Sequence, residues 1–454
     1  MAEISHDLRN LSLSIIIDVL KDGKYLNTSL NECFEKNSDL DKIKRAFIAR
    51  LASGTVEQVI FIDYVLEQFV KAAKKQRPVI INILRMSVYQ IIFMDSVPDS
   101  AACNEAVKLV KKRGLKNLSG FVNGVLRNIS REKDSIILPD KDKEYDKYLS
   151  VKYSMPLWLA QHFLSLYDGD ETEEILKWFT EDKSLYVRCN TSKADTDEII
   201  KMLREDGISA EKNKYIDYAL MLENIETITA LRVFKKGYIQ VQDIASMLPG
   251  YILPVKEEDT IIDVCAAPGG KSLHAADKLN NTGRVISCDI SAAKVAKIEE
   301  NVTRCGFANV FPKVQDALVK DDELINGADI VIADLPCSGL GIIGRKPDIK
   351  YNITKEAIDE LAKLQRNILA TVWEYVKPGG YLMYSTCTVT AQENVQNYKW
   401  ILKNLPFEPV PLNKLLPDGI EPDEPDAGYI QMIPGEYGTD GFFVALFKRK
   451  SEDV

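Results

Sequence analysis

Two cysteines stand in short, unusual contexts and are the side chains best suited to chemistry in this chain. Cys337 ends the sequence DLPC, and Cys387 lies fifty residues further on in the sequence STCT. Each follows an apolar run typical of a buried parallel strand. Because the carboxyl ends of such strands line the ligand crevice of an open α/β sheet, both thiols are expected to reach one cleft. The alternative is two structural cysteines, since free Cys is among the most buried residue types.

A segment rich in small residues lies upstream, at residues 263–272, with the sequence DVCAAPGGKS. It has the form of a strand, a glycine turn and a helix that begins at Lys271. Small residues let a ligand approach the backbone closely, and the free amides at the start of the helix face the cleft. The segment therefore indicates a nucleotide cofactor, held by Cys265, Ala266, Ala267, Pro268, Gly269, Gly270 and Lys271.

Three nucleotide ligands compete for this segment. A dinucleotide fold requires the pattern GxGxxG, which is absent here. A phosphate-binding P-loop requires a glycine at the position of Cys265, although Gly270-Lys271-Ser272 supplies the end of that motif. The apolar run that ends at Asp334 also resembles the strand and Asp that hold magnesium in NTPases. A P-loop-like NTPase is therefore an alternative.

Carboxylates at the strand ends favour S-adenosylmethionine over the other two ligands. Asp289 closes the strand after the glycine turn, where an acidic residue accepts hydrogen bonds from ribose hydroxyls. Asp316 follows the third strand and is expected near the adenine edge, and Asp334 ends a further strand. Several carboxylates suit a nucleoside with a cationic sulfonium better than they suit a triphosphate.

Strands and helices alternate from residue 249 to residue 450, which predicts a doubly wound sheet. Such a Rossmann-like α/β domain is the fold expected of a class I methyltransferase that uses S-adenosylmethionine. The predicted strands are Thr260–Val264, Arg284–Cys288, Val310–Val314, Asp329–Ala333, Gly380–Tyr384 and Gly441–Phe447. The predicted helices include Lys271–Lys278, Ala292–Cys305 and Lys355–Val376.

The rest of the chain divides into an all-helical part, residues 1–140, and a mixed part, residues 141–248. Apolar residues recur at helical spacing in the first part, and its last two helices are predicted at Ala102–Arg113 and Asn117–Arg131. Residues 139–148 are charged and poor in apolar residues, so they are interpreted as a linker. The pattern that follows predicts a small α+β domain with strands near Leu185–Arg188 and Tyr218–Leu222.

Composition and charge limit the class of protein. The chain has 46% apolar residues, 28% charged residues and a net charge of −9, and no apolar run long enough for a bilayer. Eight cysteines without a C-x-x-C pair and only three histidines predict a cytoplasmic protein with reduced thiols and no metal site. His6, His162 and His274 lie outside the motifs and are interpreted as surface or packing residues. No membrane or protein partner is inferred, and a monomer is expected.

The basic residues are concentrated near the end of the helical part. Residues 104–133 hold eight Lys and Arg against two Asp and Glu. A local patch of this kind, and not the total charge, decides contact with phosphate, although a solvated helix face is the alternative. Residues 104–108, NEAVK, and 120–128, GFVNGVLRN, resemble the signature helices of the NusB fold, a small helical RNA-binding bundle.

Residues 150–450 resemble the RNA (cytosine-5) methyltransferases, also called the Nol1/Nop2/Sun family. The matching sequences occur in the order GYIQVQDIAS, CAAPGGK, DLPCSG, RKPDI, STCT, EN and DGFF. The attached NusB-like domain narrows the resemblance to bacterial 16S ribosomal RNA methyltransferases with that architecture. The resemblance implies transfer of a methyl group from S-adenosylmethionine to C5 of a cytosine in 16S ribosomal RNA.

The same resemblance implies roles for individual residues. Cytosine C5 is a poor nucleophile until a group adds to C6, and a thiolate is well suited to that addition. Cys387 is the implied nucleophile, Cys337 the group that assists its release, and Asp334 the partner of the N3/N4 edge of the base. Lys271 is expected to contact the same site or the cofactor.

The resemblance also implies a folded RNA as the partner. Chemistry on C5 and C6 requires an unstacked base, so a loop or bulge with an accessible cytosine is the expected target. Arg345, Lys346 and Lys350 are candidates to hold flanking phosphates, with a solvated charged loop as the alternative. The non-enzymatic alternative is an RNA-binding or ribosome-assembly protein in which the sheet domain is catalytically inert.

Overall fold

Helices fill the first part of the chain and strands enter only after residue 184. The computed structural model describes residues 7–70, 76–223, 225, 227–422, 424 and 426–451. His6 lies outside these residues. The chain forms two compact units: Met1–Glu181 with Ile343–Asn352, and Asp182–Ile342 with Ile353–Val454. In the part of the chain that is described, no helix is long and apolar enough to cross a membrane.

The first unit is a helical bundle. Its apolar core includes Leu13, Leu51, Ile83 and Leu126, all fully buried. Its helices are Leu8–Leu20, Leu26–Lys36, Lys42–Glu57, Val59–Phe69, Pro78–Phe93, Asp99–Lys112, Ser119–Glu132, Tyr145–Lys152, Leu157–Leu166 and Gly169–Thr180, with a short helix Ile349–Asn352 from the later segment.

The two predicted basic helices are present, with slightly different ends, as Asp99–Lys112 and Ser119–Glu132. We call this pair the basic helices. The interpretation of residues 139–148 as a linker is only partly correct, because the helix Tyr145–Lys152 begins inside it. Leu149 and Val151 are buried in this helix and anchor a segment whose charged composition suggests solvent exposure.

The segment 343–352 belongs to the helical unit although it follows the Cys337 motif in the chain. Asp348 accepts a hydrogen bond from the Leu26 amide at 3.1 Å. Lys350 is 2% exposed, and its Nζ donates to the Glu57 carbonyl at 2.8 Å. The expectation that Lys350 holds a phosphate is therefore wrong, since its ammonium is buried within the bundle.

The second unit contains two sheets. The smaller one is antiparallel, with strands β1 (Leu185–Cys189), β2 (Ser209–Lys212), β3 (Ala219–Glu223) and β4 (Ile239–Val241) in the order β2-β3-β1-β4. The helices Thr196–Glu205 and Arg232–Lys235 belong to the same part of the chain. The alternation of Val187 and Cys189 with Arg188 places an apolar core between this sheet and its helices.

The larger sheet is mixed, which confirms the predicted α/β class. Its strands are β5 (Thr260–Asp263), β6 (Arg284–Asp289), β7 (Val310–Val314), β8 (Ala328–Asp334), β9 (Val376–Thr386), β10 (Phe407–Pro409), β11 (Tyr429–Met432) and β12 (Phe442–Arg449). Their order is β10-β12-β9-β8-β5-β6-β7, with β11 on β12. The strands β7, β6, β5, β8 and β9 are parallel, and β12 runs antiparallel to β9.

Helices of this unit connect and cover the parallel strands. They are Ile244–Ile252, Gly270–Lys278, Ala292–Cys305, Lys355–Val372 and Val395–Asn404. The chain order reverses between β5 and β8, so the crevice of the sheet opens at the carboxyl ends of these strands. The edge strands β10 and β11 are not predicted from the sequence, because short strands of this kind carry little periodic signal.

Candidate active site

The two thiols meet at the ends of neighbouring strands. Strands β8 and β9 pair in parallel, with Asp334 opposite Ser385 at their carboxyl ends. Cys337 follows three residues after β8 and Cys387 directly after β9. Their Sγ atoms are 3.2 Å apart and both side chains are half-buried. The register of one strand pair therefore brings together two residues that are fifty positions apart in the sequence.

A cavity of about 300 Å³ opens beside the thiols at the crevice of the sheet. Residues from the ends of β5, β6, β7 and β8 contribute to its wall together with the two cysteines. The lining residues are Val264, Cys265, Ala267, Asp289, Ile290, Lys294, Gln315, Asp316, Ala317, Leu318, Asp334, Leu335, Pro336, Cys337, Leu364, Ile368 and Cys387. The wall is thus apolar with a few carboxylates, as expected of a small-molecule site.

The glycine turn after β5 shapes one side of this cavity. Gly269 has a φ of +104°, which favours glycine, and it precedes the helix Gly270–Lys278. The Ala266 amide donates to the Cys288 carbonyl at 2.8 Å and the Ala267 amide to Asp289 Oδ2 at 3.0 Å. Among the predicted cofactor residues of this segment, Cys265 and Ala267 line the cavity. Burial raises the pKa of the Cys265 thiol, so it is an apolar wall group.

The predicted carboxylates of the cofactor site all line the cavity. Asp289 is 3% exposed, and its Oδ1 lies 3.1 Å from the Nζ of Lys294. Asp316 accepts the Leu318 amide at 2.9 Å. Sequence reasoning does not identify Lys294 or Ile290 as site residues, although both follow Asp289 within five positions. Their positions just after the end of a strand are the feature of the sequence from which both could be predicted as site residues.

Asp334 is held by two donors. Lys271 Nζ lies 2.6 Å from Oδ2, and the Ser385 hydroxyl donates to Oδ1 at 2.7 Å. The side chain of Lys271 is 10% exposed, so its ammonium is largely removed from water. Lys271 therefore contacts the predicted base-binding carboxylate, and Ser385 is a further residue whose role cannot be predicted from its position in the sequence alone.

The surroundings of Cys337 disfavour its thiolate. The hydrogen bond to the Cys387 thiol, loss of water and the nearby charges of Cys387 and Glu393 hold the pKa of Cys337 well above its usual range. Cys337 is therefore a thiol that can share or supply a proton. The arrangement can support nucleophilic attack by one sulfur while the other stays protonated.

The geometry argues against the NTPase alternative. Ser272 would have to bind magnesium in a P-loop, but it is fully buried and its hydroxyl donates to Asp263 Oδ2 at 2.7 Å. Burial also raises the pKa of Asp263 to about 7. Within the described ranges, no cluster of His, Cys, Asp and Glu has the arrangement of a metal site.

The two histidines among the described residues have surroundings other than the cavity. His274 is 2% exposed, and its Nε2 is 3.0 Å from the hydroxyl of Tyr218. His162 lies in the helix Leu157–Leu166 of the other unit. Neither residue is part of the cavity wall.

Three family models match successive parts of the chain. The model described as 16S rRNA methyltransferase RsmB/F matches residues 250–448. The NusB family model matches residues 6–131, and a model described as the ferredoxin-like domain of RsmF/B-like methyltransferases matches residues 155–229. These matches confirm the predicted fold class of each part.

Whole-chain relatives agree with these models. The chain is similar to "Probable ribosomal RNA small subunit methyltransferase B" of Bacillus subtilis (strain 168), with 35% identity over 448 residues that cover 98% of this chain and 99% of the relative. The protein of Proteus mirabilis (strain HI4320) named "Ribosomal RNA small subunit methyltransferase B" is 28% identical, covering 98% of this chain and 99% of its own.

A solved structure shares the fold over nearly the whole chain. The structure titled "Crystal Structure of PH0851" has a TM-score of 0.80 and 27% identity, and it covers 98% of this chain and 100% of that one. The predicted family resemblance is thus confirmed. The chain belongs to the RsmB/F family of 16S rRNA methyltransferases and carries NusB-family and ferredoxin-like domains ahead of its methyltransferase domain.

Proposed function

We propose that this protein transfers a methyl group from S-adenosylmethionine to C5 of a cytosine in 16S ribosomal RNA, through a bond between Cys387 and C6 of the base. The observation that carries the proposal is the pair of thiols, 3.2 Å apart, at a cavity that also contains the cofactor motif. Membership of the RsmB/F family and the names of its relatives support the choice of ribosomal RNA.

The side chains that line the cavity support S-adenosylmethionine as its ligand. Asp289 and Asp316 are placed at successive strand ends, where carboxylates suit the ribose and the adenine edge. The glycine turn lets the ligand approach the backbone, and Ile290 and Leu318 provide apolar surface. When bound, S-adenosylmethionine supplies an electrophilic methyl group on a cationic sulfonium.

Cys387 and Asp334 would activate the cytosine. The Cys387 thiolate adds to C6, which places electron density on C5 and makes that carbon nucleophilic. Asp334, oriented by Lys271 and Ser385, would bind the N3/N4 edge of the ring. A ring that is protonated or hydrogen-bonded at this edge accepts the thiolate more readily, because charge that develops in the ring is stabilised.

Cys337 would assist release of the product. After methyl transfer, a base such as a water molecule takes the C5 proton, the electron pair of that C–H bond re-forms the C5–C6 double bond, and the Cys387 sulfur leaves C6 as a thiolate. The Sγ of Cys337 is 3.2 Å from the departing sulfur, within hydrogen-bond reach. The high pKa of Cys337 keeps it a thiol near neutral pH, so it does not compete with Cys387 for C6.

We further propose a division of labour along the chain. Residues 249–450 would catalyse the transfer and residues 1–140 would bind RNA. Of the intervening residues 141–248, those up to residue 181 belong to the helical unit, and the remainder form the small sheet with its helices. The basic helices present exposed side chains at Lys108, Lys111, Arg127 and Arg131, and Lys116 is exposed in the segment between the two helices. Such residues contact phosphates without reading sequence, which would leave base selection to the catalytic cavity.

The proposal is tested by changing the nucleophile. We expect Cys387→Ala to lose tritiated methyl incorporation into 16S ribosomal RNA, because the substitution removes the proposed nucleophile. Cys33→Ala is the matched control, since Cys33 lies in the helical unit, and it should retain full incorporation. Normal turnover by Cys387→Ala would remove this residue from the mechanism. RNA binding without methyl transfer by the wild-type protein would favour the assembly-protein alternative.

A further inference from the structure

A buried carboxylate lies among the loops that carry the two thiols. Glu393 is 0% exposed, and each of its oxygens accepts two hydrogen bonds. Oε1 accepts the Ser338 amide at 2.8 Å and Gln365 Nε2 at 3.0 Å. Oε2 accepts the Ser338 hydroxyl at 2.5 Å and the Thr390 hydroxyl at 2.7 Å. Four donors satisfy the carboxylate, as burial of an acceptor-only group requires.

These hydrogen bonds fix the backbone on both sides of Cys337. Ser338 follows Cys337 and is held by Glu393 through its amide and its hydroxyl. Gln365, which also donates to Glu393, donates to the Pro336 carbonyl at 2.9 Å. The residues before and after Cys337 are therefore tied to the same buried group.

The network also reaches the loop that carries Cys387. The Ser338 hydroxyl is 2.6 Å from the hydroxyl of Thr388, the residue after Cys387. Thr390, two positions further on, donates to Glu393 directly. Glu393 thus joins the loops after β8 and β9, whose relative position sets the 3.2 Å separation of the two sulfurs.

The charge of Glu393 is a separate feature from its hydrogen bonds. Within the described part of the chain, no Lys, Arg or His forms an ion pair with it. A buried charge without an opposite charge is costly, and a neutral Gln could make most of the same contacts. A negative charge near a thiol disfavours the thiolate, and Glu393 is one of the groups that raise the pKa of Cys337.

We propose that Glu393 is a positioning residue that holds Cys337 against Cys387 and places a negative charge near Cys337, so that Cys387 alone attacks the base. This inference rests on the proposed function. Glu393 acts through Ser338 and through its charge, and it does not contact the cavity itself. Two properties, geometry and charge, can therefore be tested separately.

The charge is tested without RNA. The full-length protein is alkylated with iodoacetamide between pH 6 and pH 10, and modification of each cysteine is followed by peptide mass spectrometry. We expect Glu393→Gln to shift the pH dependence of the Cys337 alkylation rate about one unit to lower pH. At a pH where only a small fraction of Cys337 is thiolate, its alkylation should then be about tenfold faster than in the wild type. The Cys33 profile is the internal reference and should not move. An unchanged Cys337 profile in a folded Glu393→Gln variant would overturn the role of the charge.

The geometry is tested with Ser338→Ala, which keeps Glu393 and the backbone amide of residue 338 but removes the hydroxyl that joins Glu393 to Thr388. We expect its Cys337 alkylation profile to match the wild type, whereas release of the RNA–protein adduct in single-turnover reactions becomes severalfold slower. Release at the wild-type rate would overturn the positioning role. If Glu393→Gln does not fold, Glu393→Asp replaces it in the alkylation experiment. This variant keeps the charge, so its Cys337 alkylation profile should match the wild type. A shifted profile would overturn the role of the charge. Absence of methyl transfer by the wild type would refute the proposed function and leave the alkylation result to decide the role of the charge.

Discussion

Asp334 illustrates how single residues in this site depend on partners that are remote in the sequence. Its two oxygens bind Lys271, 63 positions earlier, and Ser385, 51 positions later. Both contacts follow from parallel pairing of β8 with its neighbours. The cysteines and Asp334 can be predicted from local motifs because their strands and turns are encoded locally. The hydrogen bond from Ser385 cannot, because it depends on the register between two strands.

We expect Ser385→Ala to lower the single-turnover rate of methyl transfer about tenfold, because Asp334 loses one of the two donors that orient it. Affinity for S-adenosylmethionine, measured by calorimetry, should stay unchanged, since Ser385 is not among the residues that line the cavity. Ser87→Ala is the matched control for loss of a buried hydroxyl, because Ser87 is 1% exposed and its hydroxyl donates to the Ile83 carbonyl within its own helix. A wild-type rate in Ser385→Ala would show that Asp334 needs no such support.

At the scale of whole elements, periodic and strongly apolar segments are predictable and long-range polar anchors are not. The strand Val310–Val314 and the helix Ala292–Cys305 have the bounds that the sequence predicts. The buried ion pair between Arg188 and Asp277, 2.9 Å apart, joins the small sheet to the helix Gly270–Lys278. Its residues are 89 positions apart, and nothing in the local pattern of either one indicates the other.

The packing of residues 343–352 in the helical unit is likewise not predictable from local sequence. It also gives a pH-dependent prediction. Burial lowers the pKa of Lys350 from 10.5 to about 8. Between these values the unfolded chain binds more protons than the folded one, so wild-type stability rises with pH relative to a variant without this amine. We therefore expect the free energy of unfolding of the wild type to rise relative to that of Lys350→Met, by up to about 3 kcal/mol between pH 8 and pH 10.5.

Urea titrations followed by circular dichroism at several pH values measure this difference. Lys346→Met is the matched control, because Lys346 is an exposed lysine in the same segment. Lys350→Met should also leave the salt dependence of RNA binding unchanged. A pH-independent difference for Lys350→Met, or a reduced salt slope, would show that the ammonium is exposed to solvent or RNA.

At the scale of the whole molecule, an acidic chain carries a locally basic surface. The net charge is −9, yet the basic helices present Lys111, Arg127 and Arg131 to solvent. This distribution is visible in the sequence, and the NusB-family match gives it a fold. The helical unit also includes residues 343–352, which no pattern in the sequence assigns to it, because the assignment depends on tertiary packing.

We expect replacement of Lys111, Arg127 and Arg131 by Gln to weaken binding of 16S ribosomal RNA and to reduce its log–log salt slope by about 2, if each contacts one phosphate. Filter binding from low to high salt measures this slope. The control replaces Lys399, Lys403 and Lys414, which are exposed in the other unit, and should leave the slope nearly unchanged. Equal slopes for the two triple variants would mean that the basic helices do not bind the RNA.

In the proposed mechanism, Cys387 bonds to C6 of the base and Cys337 helps that bond to break. The most direct measurement incubates Cys337→Ala with S-adenosylmethionine carrying a tritiated methyl group and 16S ribosomal RNA, and separates the products on a denaturing gel. We expect a labelled RNA–protein adduct that persists under denaturing conditions and disappears when Cys387 is also replaced by Ala. Release of methylated RNA at the wild-type rate without any adduct would contradict the roles proposed for the two cysteines.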